Sequence, residues 1–260
     1  MLDEIVISRA IIEEFYKEFL DSLECDVVIA GAGPSGLCAA YYLAKAGCKT
    51  LVFERNLKVG GGMPGGGMLF NRIVVQRESR QILDELGMTL TEYSKDYYVA
   101  HSLEALGVLT VKAIQAGARI FNGITVEDVI IKEGKVEGVV INWAAVDIAS
   151  LHVDPLSVRS TLTIDATGHA AEVVREMERK FGRRLLTENG GIQGEQPMWA
   201  EVGERMVVEN SKEVFPNLYV CGMAANAVFG SPRMGPIFGG MLLSGKKVAE
   251  LTLKRVRNQR

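Results

Sequence analysis

Two of the three histidines in this 260-residue sequence lie near an aspartate in a pattern that suits metal chemistry. His152 and Asp154 belong to the run LHVDP at 151–155, and His169 ends the motif TGH at 167–169. Imidazole and carboxylate groups are ligands that a divalent transition metal such as iron accepts. An Asp-Pro pair is also an ordinary turn opening, and a histidine after Thr-Gly often begins a helix. The pattern alone therefore leaves a catalytic metal site and a structural role both open.

A second group of residues predicts a dinucleotide site. Gly31, Gly33 and Gly36 form a GxGxxG turn between the apolar run CDVVIA and a helix of small residues. Such glycines let the backbone approach a pyrophosphate, and the helix N-terminus adds amide donors. Glu54 ends the next strand, TLVFE, where its carboxylate can accept hydrogen bonds from ribose hydroxyls. This β-α-β unit predicts an α/β, Rossmann-like dinucleotide-binding fold.

The identity of the dinucleotide follows in part from its neighbours. Glu54 disfavours a 2′-phosphate, which favours NAD or FAD over NADP. Flavoproteins with this turn usually carry an acidic residue soon after a late strand-Gly pair. Here the segment after Gly222 reads MAANA, without an acid, which weakens the flavin interpretation. Arg55 is a further candidate for the adenosine end, although an exposed arginine explains it equally well.

Two more segments are candidates for ligand contact. Residues 60–67 contain six glycines in eight positions, which excludes a stable helix or strand. A flexible linker is possible, but apolar sequence follows at once, which favours a loop around a ligand. Arg233 lies between two prolines in SPRMGP, where a guanidinium can bind a small carboxylate with two parallel hydrogen bonds. An exposed or phosphate-facing arginine is the alternative.

Composition narrows the class of protein. The chain is 48% hydrophobic and 23% charged with a net charge of −3, which favours neither nucleic acid nor an anionic membrane as a partner. No apolar run approaches the roughly 18–20 residues that span a bilayer. Asp3 and Glu4 stand where a signal peptide would be basic. The four cysteines form no CxxC pair and predict buried, reduced thiols in a cytoplasmic protein.

The elements predicted to position these residues form a single compact unit over 1–260. Residues 1–23 are a helical appendage whose apolar face must pack on the domain or on another subunit. Residues from about 119 to 160 are a strand-rich insertion with a hairpin turn at 132–135. Further expected elements are helices at 77–86, 102–116 and 241–254, strands at 161–165 and 218–221, and an irregular segment from 183 to 201.

Taken together, the motifs resemble a known family. GAGPSG, FERNLKVGGGMPGGGMLF, VDP, DATGH and SPRMGPIFGGMLLSG are similar to those of the Thi4 thiamine thiazole synthases of archaea and eukaryotes, from about Ile5 to Leu253. The resemblance implies a two-domain flavoprotein-type fold that binds NAD as a substrate. It implies synthesis of the ADP-linked thiazole carboxylate precursor of thiamine from NAD, glycine and a sulfur source, with Fe(II) required. It also implies a homo-octamer.

The resemblance assigns roles to particular residues. Asp154 and His169 correspond to the iron ligands, and Arg233 to the group that binds the glycine carboxylate. Val126 would offer backbone contacts to the adenine, and Met223 would line the nucleotide site. The remaining nucleotide contacts that the resemblance implies are Ser35, Glu54, Arg55 and Gly62.

One departure from the eukaryotic members bears on the sulfur source. Those enzymes carry a cysteine two residues before the aspartate and give up its sulfur, so each molecule works once. His152 occupies that position here and has no sulfur to donate. We therefore expect a multiple-turnover catalyst that uses free sulfide. His152 is a candidate proton shuttle, because imidazole exchanges protons near neutral pH, or a space-filling residue.

Three other functions are compatible with the sequence. An FAD-dependent oxidoreductase would show a flavin spectrum. A non-catalytic NAD-binding module would show no iron dependence. A sugar-phosphate isomerase would need basic phosphate-binding residues, which the sequence does not reveal.

Overall fold

The computed structural model describes residues 1–259 and shows a chain of alternating helices and strands. The helices are α1 (Glu4–Asp21), α2 (Pro34–Lys45), α3 (Arg77–Leu86), α4 (Ser102–Gln115), α5 (Ala144–Ile148), α6 (Glu172–Phe181), α7 (Ala200–Glu209), α8 (Met223–Phe229) and α9 (Gly239–Gln259). The strands are β1 (Glu24–Ala30), β2 (Thr50–Glu54), β3 (Arg72–Gln76), β4 (Leu90–Ser94), β5 (Tyr97–His101), β6 (Arg119–Asn122), β7 (Ile124–Lys132), β8 (Lys135–Trp143), β9 (Leu156–Asp165), β10 (Glu213–Phe215) and β11 (Leu218–Val220). Short 3-10 helices cover Met63–Gly65 and Gly168–Ala170.

The main sheet has a parallel centre in the strand order β11-β9-β1-β2-β6, with β10 antiparallel at one edge. β1 is apolar throughout its second half because both faces of the sheet are covered. Val27 and Ile29 pack with residues of α2, α4 and α9, whereas Val28 packs with residues of β7 and β8 on the other face. The predicted α/β, Rossmann-like class is confirmed.

The hairpin β7–β8 covers the second face of the sheet. Its turn is the predicted one: Lys132 pairs with Lys135, and Glu133 and Gly134 both have positive φ, as a two-residue turn of this kind requires. β8 then pairs antiparallel with the first residues of β9, from Gly138↔Arg159 to Ile141↔Leu156. That pairing begins β9 at Leu156, so the predicted strand at 161–165 was too short at its N-terminal end.

A separate antiparallel sheet in the order β3-β5-β4 lies between β2 and α4 in the sequence and was not predicted. The turn between β4 and β5 contains Asp96, with φ of 69°, in place of a glycine. β4 is exposed over most of its length and therefore lacks a clear alternation of apolar and polar residues. Both features remove the sequence signals on which hairpin prediction depends.

Helix α1 leaves much of its apolar surface uncovered in the single chain. Its C-terminal half packs through Phe15 and Phe19 against Phe121. Toward its start, Ile5 is 68% exposed and Ile12 is 65% exposed. The chain itself therefore buries only part of the face that was expected to pack on the domain or on another subunit. Among residues 1–259, no helix combines the length and apolarity needed to cross a bilayer.

The glycine turn after β1 depends on close contact between backbones. Gly31 has φ of 100°, and a Cβ atom there would lie 2.6 Å from the carbonyl oxygen of Ala166, just after β9. A Cβ atom at Gly36, in the first turn of α2, would lie 2.1 Å from the carbonyl oxygen of Gly31. Since real side chains never approach so closely, the joining of β1, α2 and β9 requires glycine at both positions.

We expect Gly36→Ala to destabilise the fold, because α2 must move away from the turn to admit a methyl group. The free energy of unfolding should fall by about 2–3 kcal/mol. Gly107→Ala, in α4, is the matched control: its Cβ atom would meet no atom within 4 Å, and alanine should raise stability by about 0.5–1 kcal/mol. Urea unfolding at matched protein concentration measures both, and equal stability of the two variants would contradict the argument.

Candidate functional site

A cavity of about 550 Å³ opens at the carboxyl ends of the parallel strands β1, β2 and β9. This is the edge at which open α/β sheets bind their ligands. Most of the predicted site residues line it: Gly31, Gly33, Ser35, Glu54, Arg55, Gly62, Val126, His169, Met223 and Arg233. Gly36 lies behind the turn, in the packing of α2, and His152 and Asp154 are not part of the lining.

Backbone amides form one wall of the cavity. Gly33 has ordinary extended dihedrals, and a Cβ atom there would meet nothing within 4 Å, so its open side faces the cavity. The first N–H groups of α2 have no partner inside the helix and carry the positive end of its dipole. Ser35 is only 4% exposed, and its hydroxyl lies against Gly222. The group of Ser35 that can bind a ligand in the cavity is therefore its backbone amide.

Glu54 joins β2 to the glycine turn. It is only 6% exposed, and one carboxylate oxygen accepts a hydrogen bond of 2.9 Å from the backbone N–H of Ala32. The other oxygen accepts from the backbone N–H and the side-chain amide of Asn56, at 2.9 and 2.8 Å. These contacts fix the carboxylate at the edge of the cavity, where remaining lone pairs are available to hydroxyl donors.

An ion pair lies at the same end of the cavity. The Nη1 atom of Arg55 is 2.5 Å from the Oε1 atom of Glu172, which lies at the start of α6. Both residues line the cavity. Both side chains are partly exposed, so the pair adds little to stability. Glu172 was missed at the sequence level, because nothing local relates the first residue of a helix to an arginine more than a hundred positions earlier.

The glycine-rich loop is part of the same wall. Gly61, Gly62 and Gly66 line the cavity, and the backbone N–H of Gly60 donates a 2.7 Å hydrogen bond to the carbonyl of Ala32. The loop is therefore tied to the glycine turn. This arrangement favours the interpretation of a ligand-binding loop over that of a flexible linker.

The two predicted metal ligands lie near opposite ends of one strand. His169 follows β9 and lines the cavity, whereas Asp154 and His152 precede β9 and are exposed. β9 has ten residues, and at about 3.3 Å per residue it spans roughly 30 Å. Within residues 1–259, no three His, Cys, Asp or Glu side chains gather as a metal-binding group. The cavity of a single chain therefore contains His169 without Asp154.

Arg233 reaches the cavity from a segment with fixed backbone. Its N–H donates to the carbonyl of Gln196 at 3.3 Å, and its carbonyl accepts from the N–H of Trp199 at 3.0 Å. The side chain is exposed, and across the described residues no carboxylate forms an ion pair with its guanidinium. A free guanidinium beside the cavity can bind an anionic group of a ligand.

The cysteines lie away from this chemistry. No cysteine of the described chain lines the cavity, and all four are free thiols. Three of them are buried as expected, whereas Cys25, near the start of β1, is only partly buried. Burial raises the pKa of the Cys221 and Cys25 thiols to about 12, and it also raises the pKa of Cys38. Since the thiolate is the reactive form, none of these three is poised to act as a nucleophile.

Comparisons with known proteins identify the family. Residues 8–238 match the Thi4 family. This chain belongs to the Thi4 family. It is 56% identical over 256 residues to the thiamine thiazole synthase of Methanothermobacter thermautotrophicus, covering 98% of this chain and 99% of that protein. It is 53% identical over 258 residues to that of Pyrococcus horikoshii, covering 99% of this chain and 100% of the relative.

A solved structure agrees with this assignment. The crystal structure of Thermovibrio ammonificans THI4 superposes with a TM-score of 0.97 at 52% identity, covering 99% of this chain and 100% of that one. The expected Thi4 resemblance is thus confirmed over almost the whole length of the chain.

A buried acid joins α7 to the start of α9 in this Thi4-family chain and was missed at the sequence level. Glu204, on α7, accepts a 2.5 Å hydrogen bond from the backbone N–H of Gly240 at the start of α9. Burial raises the pKa of its carboxyl. Its second oxygen and the side-chain oxygen of Gln76 are both buried without a partner. A protonated Glu204 can donate to Gln76, which would satisfy both atoms.

We expect Glu204→Gln to change how stability depends on pH. Because burial raises the carboxyl's pKa, the folded state binds its proton more tightly than the unfolded state does. The resulting stability is present below the unfolded carboxyl pKa and is lost as pH rises through the folded one. Glutamine cannot ionise, so wild type should lose stability relative to Glu204→Gln between acidic and neutral pH. The measurement is the free energy of unfolding by urea at several pH values. A difference between wild type and Glu204→Gln that stays constant across that range would contradict the prediction.

Proposed function

We propose that this chain catalyses synthesis of the ADP-thiazole carboxylate precursor of thiamine from NAD, glycine and free sulfide, with Fe(II), over many turnovers. The observation that carries the proposal is one cavity that combines a complete dinucleotide-binding turn with an imidazole and a free guanidinium, His169 and Arg233. Its full-length relatives are thiamine thiazole synthases. The reaction would take place in the cytoplasm with small-molecule partners, without nucleic acid or membrane.

The adenosine and pyrophosphate of NAD would occupy the wall built by β1, α2 and β2. The amides at Gly33 and at the start of α2 would donate to the pyrophosphate. Glu54, already fixed by Ala32 and Asn56, would accept from the ribose hydroxyls. Val126 lies in the wall beyond β2, where its backbone can contact the adenine.

The reacting end of NAD would lie toward His169 and Arg233. Once nicotinamide leaves, the ADP-ribose carbonyl can condense with the amine of glycine, whose carboxylate Arg233 would bind in bidentate fashion. The fixed backbone of Arg233 limits where that carboxylate can sit. Holding the amine beside the carbonyl would lower the entropic cost of their reaction.

The sulfur atom would come from solution. His152 has no sulfur, no cysteine of the described chain lines the cavity, and the buried Cys221 thiol has a pKa of about 12. The described residues that line the cavity therefore include methionine thioethers but no thiol that could donate sulfur. His152 would serve as a proton shuttle or would only fill space, and its exposed position is open to either role.

The residues fit Fe(II) if two copies of the chain provide them. An imidazole and a carboxylate form a donor set that Fe(II) accepts, and when bound the metal would deliver sulfide to the substrate. Because β9 separates Asp154 from His169, Asp154 of one copy would meet His169 of another. The segment around Asp154 carries exposed apolar side chains, among them Ile148 at 83% and Leu151 at 61% exposure, which a neighbouring copy would cover.

The proposed assembly is a homo-octamer, which would cover the exposed apolar surface of α1. Residues Ile5, Ile11 and Ile12 of α1 are each more than 60% exposed in the single chain. Such surface is characteristic of subunit interfaces. An assembly with one contact at α1 and another around Asp154 would cover both faces.

We expect anaerobic incubation with NAD, glycine, sulfide and Fe(II) to yield an adenylated thiazole in excess over enzyme, detected by mass spectrometry. The enzyme's own mass should not change, because no protein sulfur is consumed. Omitting glycine or sulfide should abolish the product. Absence of the thiazole with fresh metal present would refute the proposal, and loss of one sulfur from the protein would refute the sulfide-using form. A flavin spectrum of the purified protein would support an FAD-dependent oxidoreductase instead.

A mixing experiment tests whether the metal site joins two chains. Asp154→Ala and His169→Ala should each be inactive alone, because each removes one ligand. Co-expressed in equal amounts, they should recover about a quarter of wild-type activity, since some interfaces then combine two intact ligands. The control mixes His169→Ala with Arg233→Ala: both residues line the same cavity of one chain, so this mixture should stay inactive. An inactive Asp154→Ala/His169→Ala mixture would contradict the two-chain site.

A further inference from the structure

The imidazole of His169 has a carboxylate partner that the proposed reaction does not use. Its Nδ1 atom is 2.6 Å from an Oε1 oxygen of Glu195. An ionised carboxylate only accepts hydrogen bonds, so a carboxylate at this place favours the tautomer of His169 that carries its proton on Nδ1. In the neutral form of this tautomer the Nε2 atom of His169 keeps its lone pair, which is the form in which a histidine binds a metal.

Glu195 reaches His169 from a segment whose backbone is anchored on both sides. The segment 193–196, here called the strap, runs beside α8 and the chain that follows it. The N–H groups of Gln193 and Gly194 donate to carbonyls of α8, both at 3.0 Å, and that of Gln196 donates to Ser231 at 3.1 Å. The side-chain amide of Gln196 adds a 2.7 Å bond to the carbonyl of Gly230.

The exposure of the two side chains indicates which one positions the other. The side chain of Glu195 is 18% exposed, whereas that of His169 is 50% exposed. His169 also lies in a single 3-10 turn, which by itself restrains a ring weakly. The anchored carboxylate is therefore the fixed partner, and the imidazole is the group that it orients.

The strap also connects His169 to Arg233. The carbonyl of Gln196, next to Glu195, accepts the hydrogen bond from the backbone N–H of Arg233. Adjacent residues of one segment thus contact the imidazole and the arginine that both line the cavity. A shift of the strap would move both groups together.

We propose that Glu195 is a positioning residue that fixes the Nδ1–H tautomer and the ring orientation of His169, so that Nε2 faces the metal. The inference rests on the proposed metal binding at His169. Carboxylate partners of this kind raise the basicity of a metal-binding histidine, and their removal typically weakens metal affinity by about 10–100-fold. Glu195 would not itself bind the metal or the substrate.

Anaerobic titration of the full-length protein with Co(II), followed through its visible absorption, tests the proposal. We expect Glu195→Ala to weaken Co(II) binding by about 10–100-fold and to alter the absorption spectrum. Glu195→Gln should lose less than about tenfold, because its carbonyl oxygen can still accept from Nδ1–H. Glu188→Ala is the matched control: Glu188 is exposed in the cleft beside Glu195, and its loss removes the same charge.

The outcomes separate this inference from the proposed function. NAD affinity should be unchanged in the Glu195 and Glu188 variants, because neither side chain lines the NAD cavity. If Glu195→Ala fails to bind NAD, Glu195→Asp replaces it, since its carboxylate is too short to reach the ring. Co(II) affinity of Glu195→Ala within about threefold of wild type, with His169→Ala abolishing binding, would overturn the role of Glu195 alone. Equal losses in Glu195→Gln and Glu195→Ala would also overturn it. Normal Co(II) binding by His169→Ala would overturn the metal site and this inference with it.

Discussion

The absence of space for a side chain where β1, α2 and β9 meet is the constraint on which the rest of the structure depends. Gly31 lies against the carbonyl of Ala166, and Gly36 lies against the carbonyl of Gly31. This contact brings the end of β9 directly beside the start of α2. Because His169 follows the end of β9, the same contact determines where the imidazole lies relative to the amides of the nucleotide wall.

The length of β9 places Asp154 far from the cavity that His169 lines. The strand pairs with β8 at its beginning and with β1 and β11 at its end, so it cannot fold back on itself. The pairing that extends the sheet therefore carries Asp154 away from its own cavity. A protein that needs both groups at one metal ion must then assemble with itself, and the exposed apolar side chains near Asp154 and on α1 indicate where it would do so.

Prediction from the sequence succeeded where a function depends on a local pattern. The glycine turn and Glu54 are separated by a single helix, and their spacing is set by the β-α-β unit itself. Glu172, Glu195 and Glu204 were missed because each acts through a partner that only the tertiary fold brings near. Irregular sequence from 183 to 201 was expected to be partly exposed loop, yet the strap within it contacts two groups of the cavity. Backbone hydrogen bonds to α8 hold it there. Such bonds do not depend on side-chain type, so the sequence pattern does not predict them.

His152 stands where the resemblance places the sulfur-donating cysteine of eukaryotic members, and this difference increases what the proposed metal site would have to do. A cysteine at that position would be tethered beside the substrate, and the tether would supply the effective concentration of sulfur. Free sulfide has no tether, so in the proposed reaction its position near the reacting carbon would come from a metal ion held at a fixed place. A flexible imidazole on a 3-10 turn would hold such an ion poorly, because each ligand orientation lost on binding costs entropy. An imidazole already oriented by Glu195 has lost that freedom before the metal arrives, so the strap would strengthen metal binding at a sulfide-using site without contributing a ligand.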